Sequence, residues 1–416
     1  MERDRSDVCI IGAGPAGAAA AIGLAAAGVP ALLLDRARFP RDKVCGEGIS
    51  PRAIRILQAL GLYRPEVFSR FCRIEGVRIR SPGGHVLEVS LKGDPEVGDG
   101  YVVPRKVFDR FLLEAALDRG AKFWEDCEIH ELKPGREDIL ILGTRGGHPF
   151  SIRAQYAVAA WGAQPGRLAK QYHPCPRQGR FSAVAVRAHF EGIQGFRPFM
   201  EIHFDPDLVP GYGWVFPTGP ASANIGYGMR LDCLLGRGAS LRGLFHRFLE
   251  TNPDVMLYVK KATQVSPLRG ARIPFRRLFQ PVAKGRVLLA GDAAGLADPL
   301  SGEGIGTAMH SGLLAARCIS RALGEGARSA ATARSYASAC RKEINRDLFC
   351  AYLLQSLLVK PRFTSTGRLL DLLVGKAQQN PRMARAMARL IIGDLPKDVI
   401  LHAEPWRKLF RALRGP

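Results

Sequence analysis

The stretch that most limits how this chain can fold is Gly12-Ala13-Gly14-Pro15-Ala16-Gly17. It follows a short apolar run at residues 7–11 that reads as a buried parallel strand. Residues 16–27 read as an Ala-rich helix stopped by Gly28, and residues 29–34 as a second buried strand. In such a unit the first glycine, Gly12, permits a tight turn. Gly14 lets the backbone approach a pyrophosphate, and Gly17 lets the helix pack closely on the strand. The helix N-terminus, starting near Ala16, then offers free N–H groups and partial positive charge to phosphates. Asp35 ends the second strand, about twenty residues on, where a carboxylate accepts from a ribose 2′-OH. An acid at that place points to an adenosine with a free 2′-OH, as in FAD or NAD. Residues 15–34 also carry no charge over 20 positions. Gly28 and Pro30 break that run, so it reads as helix, turn and strand rather than a membrane span.

The remainder of the 416 residues is a long mixed chain, enough for two or three domains. Residues 36–50 read as a polar loop, and Pro51 opens a helix stopped by Gly61. Residues 72–91 alternate around a Pro82-Gly83-Gly84 turn and read as a hairpin. Residues 104–117 form an amphipathic helix. Residues 181–228 are strand-like, 286–290 are a short buried strand, and the chain after Gly302 is mainly helical by pattern. The nine cysteines are odd in number and form no C-x-x-C, which fits neither a disulfide framework nor a zinc site. No secretory leader is read at the start. The expected setting is the reducing cytoplasm, with no metal.

A second glycine-rich constellation lies at residues 286–306. A short strand ends in Gly291-Asp292, then Asp298-Pro299-Leu300-Ser301-Gly302-Glu303-Gly304-Ile305-Gly306 leads into a helix. An aspartate at a strand end can accept from ribityl hydroxyls. The glycine-rich segment and new helix N-terminus can lie against the anionic side of a flavin ring. The two motifs in this order resemble the FAD-dependent superfamily of aromatic hydroxylases and geranylgeranyl reductases. The resemblance implies FAD, held by Gly12, Gly14, Ala16, Gly17, Asp35, Arg36, Gly291, Asp292, Gly302, Gly304 and Ile305. It also implies a cofactor contact for Arg105, within Val103-x-Arg105-x-x-Phe108-Asp109.

Two further segments narrow the resemblance to the geranylgeranyl reductase family. Lys43-Val44-Cys45-Gly46-Glu47-Gly48-Ile49-Ser50-Pro51 is similar to that family's cysteine-glycine loop beside the flavin, which puts Cys45 and Gly46 near the cofactor. Tyr212-Gly213-Trp214-Val215-Phe216-Pro217 is similar to its aromatic strand beside the substrate. In a strand, Tyr212, Trp214 and Phe216 face one side and make an aromatic wall suited to a long apolar chain. The implied fold is α/β. A Rossmann-type FAD-binding domain (residues 1–70, 100–165 and 280–325) is interleaved with an α+β substrate domain carrying a mixed or antiparallel sheet (71–99 and 166–279). A helical C-terminal region follows (326–416). The implied reaction is reduction of prenyl or geranylgeranyl-type carbon–carbon double bonds by hydride from reduced flavin, with Cys45, Glu47, Tyr212 and Trp214 as catalytic candidates.

The sequence also departs from its relatives. Trp161-Gly162 stands where the superfamily often has Asp-Gly, Pro165 where a serine usually follows, and no second G-x-G-x-x-G exists. The electron donor is therefore open between NAD(P)H and a reduced redox protein. Cys-Gly-Glu-Gly replaces the Cys-x-Gly-Gly of several chlorophyll and archaeal lipid enzymes, so the prenyl lipid or prenyl diphosphate substrate is not narrowed further. The alternative activity is that of an FAD-dependent monooxygenase or halogenase acting through a flavin hydroperoxide. Its motif Trp-x-Trp-x-Ile-Pro is met at Trp214 and Pro217 and missed at two of its four positions, Tyr212 and Phe216.

Charge bears on partners. The chain has 60 Lys and Arg against 38 Asp and Glu, a net +22, which raises nucleic acid, anionic membrane surfaces or anionic ligands. No helix-turn-helix, zinc or RNA-module pattern supports nucleic acid. Residues 360–416 carry twelve Lys and Arg and four Asp and Glu. Arg382, Arg385 and Arg389 share a helix face. Trp406, Leu409, Phe410 and Leu413 fall at the spacing of an interfacial helix. A peripheral site on the inner membrane face is the expectation this pattern raises.

Overall fold

A computed structural model describes residues 2–163, 167–172, 179–195, 197–277, 280–326, 328–359 and 366–399. The tail at residues 404–416, Pro165 and Cys175 lie outside the described residues.

The first sheet is built around Glu2–Ile11, flanked in parallel by Ala31–Leu34 on one side and His148–Ala159 on the other. Val287–Leu289 and Lys122–Trp124 extend it in parallel at the two ends. The central residues 8–11, 31–34, 157–159 and 287–289 are apolar on both faces, as a sheet covered by helices requires. Val8 to Ile10, Leu33, Leu34 and Val158 are fully buried. The helix Pro15–Ala26 crosses from the first strand to the second and packs on Ile305–Glu325. Their approach is close: a methyl at Gly312 would lie 2.1 Å from the Ala16 carbonyl oxygen. The helix, turn and strand expected over residues 15–34 are all present. The first strand starts earlier than its apolar run, because Arg3, Asp4 and Arg5 continue the pairing with Ser151, Ile152 and Arg153.

The second sheet is mostly antiparallel. Its order is Thr263–Gln264, Ser182–Glu191, Ser222–Arg230, Tyr212–Gly219, Phe199–His203, Gly76–Arg80, Val86–Ser90, with Arg269–Pro274 also paired to Ser182–Glu191. The hairpin expected around Pro82 to Gly84 thus joins this sheet through a parallel pairing with Phe199–His203.

Elements the sequence pattern did not mark fill the gaps. Cys127–Pro134 and Ile139–Arg145 form an antiparallel ribbon on His148–Ala159. Leu231–Arg237, Leu241–Thr251 and Pro253–Val259 are short helices, the last two started by Ser240 and Asn252 side-chain caps. Phe245, Phe248 and Val255 pack these helices on the back of the second sheet. Phe248 occupies the space a side chain at Gly213 would need, 2.1 Å from its Cβ position. The back of that strand is therefore closed, and its large rings lie on the other face.

After Ile305–Glu325 the chain remains helical through Ser329–Cys340, Arg346–Leu358, Thr366–Gln378 and Pro381–Ile391. No helix among the described residues is long and apolar enough to cross a membrane. The arginine stripe lies on the helix Pro381–Ile391. Arg385 pairs with Asp94 and Glu96, and Arg389 with Glu96 and Asp394. These two guanidinium groups tie the helix to its own protein; Arg382 is exposed.

Candidate functional site

A single cavity of about 910 Å³ joins the two sheets and the C-terminal helices. Gly12, Gly14, Ala16, Asp35, Arg36, Cys45, Gly46, Glu47, Arg105, Tyr212, Trp214, Gly291, Asp292, Gly302, Gly304 and Ile305 all line it. Gly17 does not. It lies behind the wall, where a Cβ would come within 1.8 Å of the Gly12 carbonyl oxygen, and so serves helix packing.

At one end are the two glycine-rich turns. Gly12 has φ 106°, a conformation a side chain resists, and a Cβ there would meet the Ala160 carbonyl oxygen at 2.2 Å. The helix Pro15–Ala26 has no side-chain cap, so N–H groups of its first turn are left for a ligand. Asp35 is buried at the strand end. Its carboxylate accepts from the Ala13 N–H at 2.8 Å and the Ala37 N–H at 2.9 Å, which fixes the acid against the first turn. Arg36 is exposed at the rim. Opposite, Gly291 has φ 61° and its N–H donates to Ser311. Asp292 forms an ion pair with Lys43 at 2.8 Å. These residues fit FAD: an uncapped helix start for the diphosphate, an acid for the ribose, and Asp292 with the Gly302–Gly304 turn for the flavin half.

The cysteine loop crosses the middle of the cavity. Glu47 has φ 66°, a left-handed conformation that costs a residue with a side chain roughly 1–2 kcal/mol. Several bonds hold it there. Its carbonyl accepts from the Val103 N–H at 2.9 Å, and its own N–H donates to Cys45 Sγ at 3.3 Å. Its carboxylate accepts from the Arg105 N–H at 3.3 Å, His189 Nε2 at 2.8 Å and Asn224 Nδ2 at 3.0 Å. Arg105 is buried and bidentate to Asp109, both contacts at 2.8 Å, and Arg41 reaches the same carboxylate at 2.8 Å. The two guanidinium groups hold Asp109 below the usual carboxylate range despite its burial.

The aromatic strand forms the next wall. Tyr212, Trp214 and Phe216 face the cavity, with successive ring centroids 6.3 Å and 6.2 Å apart. Gly46 passes directly beneath: its Cβ would lie 3.0 Å from Phe216 and 3.5 Å from the Trp214 indole nitrogen. The Tyr212 hydroxyl donates to the Ser301 carbonyl at 2.7 Å. Burial raises its proton affinity well above that of an ordinary phenol. The far end is aliphatic. Met200, Ile202, Leu357, Leu358, Leu370, Leu373, Met387 and Ile391 continue the lining, so the C-terminal helices are part of the site.

Sequence reasoning missed Asp42, Arg187, His189 and Asn224. Arg187 and His189 stand two apart on one face of the strand Ser182–Glu191, following Ala183 and Ala185. Two polar residues at a period of two in an otherwise apolar strand were the available signal. No group of three or more His, Cys, Asp or Glu able to hold a metal occurs among the described residues.

The architecture and the two glycine-rich turns define a FAD-dependent oxidoreductase. Residues 5–173 and 259–348 match the FAD binding domain family. Over 373 residues the chain is 33% identical to the menaquinone reductase of Mycobacterium tuberculosis, covering 87% of this chain and 86% of that protein. It is 31% identical over 357 residues to digeranylgeranylglycerophospholipid reductase 1 of Methanopyrus kandleri, covering 83% of this chain and 88% of the other. The chain belongs to the geranylgeranyl reductase family of FAD-dependent oxidoreductases. The fold agrees. A geranylgeranyl bacteriochlorophyll reductase-like protein from Thermoplasma acidophilum superposes with a TM-score of 0.78 at 22% identity, covering 90% of this chain and 91% of that one. A flavin-dependent brominase shares the fold at 0.76 and 20% identity, covering 99% of each chain.

Proposed function

We propose that the protein reduces carbon–carbon double bonds in the isoprenoid chain of a prenyl lipid. The observation that carries this reading is the continuity of the cavity. One cavity is lined by the glycine-rich turns, Cys45, the aromatic wall and the aliphatic side chains of the C-terminal helices. A linear apolar chain is the ligand such a shape suits. The names of the relatives point to lipids that carry such chains.

Bound FAD, reduced by an external donor, supplies the hydride. The chain's own residues position the alkene and manage charge. An unactivated double bond builds positive character at its more substituted carbon. The Trp214 and Phe216 rings stabilise that character through their faces. The aliphatic lining keeps water from quenching it. The second carbon needs a proton. Tyr212 spends its proton on the Ser301 carbonyl, and the Glu47 carboxylate is surrounded by donors. Cys45 is left as the proposed proton-bearing group at the cavity wall. The division into a FAD-binding unit and a substrate unit, proposed along the two sheets, puts the reacting bond at their junction. The electron donor, NAD(P)H or a redox protein, and contact with an anionic membrane surface belong to the same proposal.

The test is anaerobic. The holoprotein is reduced, then offered a polyprenylated quinone, a digeranylgeranyl glycerophospholipid or geranylgeranyl diphosphate. Flavin reoxidation together with a product heavier by two hydrogens supports the reading and selects the substrate. Turnover that requires oxygen or halide would replace it with the monooxygenase or halogenase alternative.

A further inference from the structure

Beneath the cysteine loop runs a chain of polar side chains, exposed at its Asp42 end, half-buried at His189 and buried elsewhere: Asp42, Arg187, His189, Glu47, Asn224 and Trp214. The Arg187 Nη2 bonds both Asp42 oxygens at 2.8 Å. Its Nη1 meets His189 Nδ1 at 3.3 Å, and His189 Nε2 meets Glu47 at 2.8 Å. From the other side the Trp214 indole N–H donates to Asn224 Oδ1 at 3.0 Å. Asn224 Nδ2 donates to the Cys45 carbonyl at 2.8 Å and to Glu47 at 3.0 Å. Arg187, Glu47 and Asn224 are at most 1% exposed.

The ends of this chain dictate the direction of every bond within it. A guanidinium only donates, so His189 Nδ1 must accept, and the ring proton sits on Nε2 facing Glu47. An indole N–H only donates, so Asn224 must present its oxygen to Trp214. Its amide nitrogen then faces Cys45 and Glu47, which agrees with the Cys45 carbonyl being an acceptor only. The bonds from His189 and Asn224 therefore converge on one Glu47 carboxylate oxygen, while the Arg105 N–H reaches the other.

We propose that His189 and Asn224 are positioning residues, which use Glu47 as a shared acceptor to lock the left-handed turn that aims Cys45 into the cavity. Glu47 is the anchor of that turn and not a source of protons. The aromatic strand and the cysteine loop move as one unit, since Asn224 bonds both Trp214 and Cys45. The consequence for reduction rests on the function proposed above. The locking of the loop does not.

Three variants in the FAD-loaded protein separate these ideas. His189→Gln places an amide N–H where Nε2 stood and cannot relay a proton as imidazole does. His189→Phe removes the donor. Asn224→Asp is close in shape but turns a donor toward Glu47 into a second carboxylate oxygen. The first readout is the alkylation rate of Cys45, located by mass spectrometry with the other cysteines as internal references. The second is turnover of the prenyl lipid. Expected is wild-type Cys45 reactivity in His189→Gln, and a change of about fivefold or more in His189→Phe and Asn224→Asp. Turnover falls in the latter two through kcat with KM little altered. If His189→Phe and Asn224→Asp both leave Cys45 reactivity unchanged, the loop is not locked by this chain. If His189→Gln keeps normal Cys45 reactivity yet loses turnover as fully as His189→Phe, His189 moves protons and the positioning role is wrong. Absence of prenyl turnover in the wild-type protein overturns the proposed function, while the alkylation rates still judge the locking.

Discussion

Cys45 and Gly46 divide the work of the central loop. Gly46 has no side chain because Phe216 lies 3.0 Å from where its Cβ would be, a spacing that leaves the loop and the aromatic wall in contact. Cys45 then meets the cavity, which the buried Arg105 also lines. Replacing Cys45 with Ala removes the thiol and the weak acceptor of the Glu47 N–H, while the residue 45 carbonyl still accepts from Asn224. The expected outcome is a yellow, FAD-bound protein whose prenyl reduction falls by about a hundredfold or more, the scale of a lost general acid. Loss of FAD in the same variant, seen as a colourless protein after gel filtration, would make the loop a cofactor clamp instead. Gly46→Ala should act differently. The new methyl has to displace Phe216 by a few tenths of an ångström, and Phe216 is only partly buried, so the protein stays folded. Its cavity narrows, and KM for the lipid should rise more than kcat falls.

At the scale of elements, what could be read from the sequence follows how local the signal is. The unit from Glu2–Ile11 through Ala31–Leu34 was legible because glycine spacing, apolar runs and a terminal acid all lie within thirty-odd residues and have one physical reading. The alternation of Tyr212, Trp214 and Phe216 was legible for the same reason. The polar chain through Arg187, His189 and Asn224 was not, because its members come from two strands and one loop and meet only when the second sheet forms. The helices at residues 231–259 were also missed, being short and defined chiefly by their caps. The placement of the C-terminal helices over the cavity was equally nonlocal. Thr366–Gln378 is clamped to the hairpin by Asp371, which accepts from the Ser81 hydroxyl and the Gly83 N–H, both at 2.6 Å. Asp371→Ala leaves the buried Ser81 hydroxyl without that partner and should cost about 2 kcal/mol. Asp371→Asn keeps an acceptor and should recover most of it. Chemical denaturation measures the cost, and faster amide exchange confined to residues 366–378 would place it in the clamp.

For the whole molecule, the end of the described chain is fastened to the glycine-rich turn at residues 298–304 through buried charge. Lys397 bonds Asp298 at 3.0 Å with both side chains almost fully buried, and its backbone N–H donates to Asp347. Asp298 also accepts from the Leu300 and Ser301 N–H groups at 2.8 Å and 2.9 Å. Although burial works against the ionised form, Lys397 and these N–H donors hold the Asp298 carboxyl below its ordinary range. Lys397 itself is held above the usual lysine range, again against burial, by Asp298 and Asp347. For a carboxylate whose folded pKa is depressed, the stabilisation is present above the unfolded pKa and is lost as pH falls through the folded value. For the raised lysine it is present below the unfolded pKa and is lost as pH rises through the folded value. The pair should therefore hold across the neutral range and give way only in strong acid or strong alkali. Lys397→Met strands an ionised carboxylate in the interior and should destabilise the protein at neutral pH by about 3–5 kcal/mol. Adding Asp298→Asn removes the stranded charge while keeping an acceptor for Leu300 and Ser301, so the double variant should be more stable than Lys397→Met alone. Its deficit should stay nearly constant from mildly acidic to neutral pH. Thermal unfolding of the three proteins over that range decides the matter. A double variant no better than the single one would show that Lys397 acts through packing of its stem rather than through the Asp298 charge.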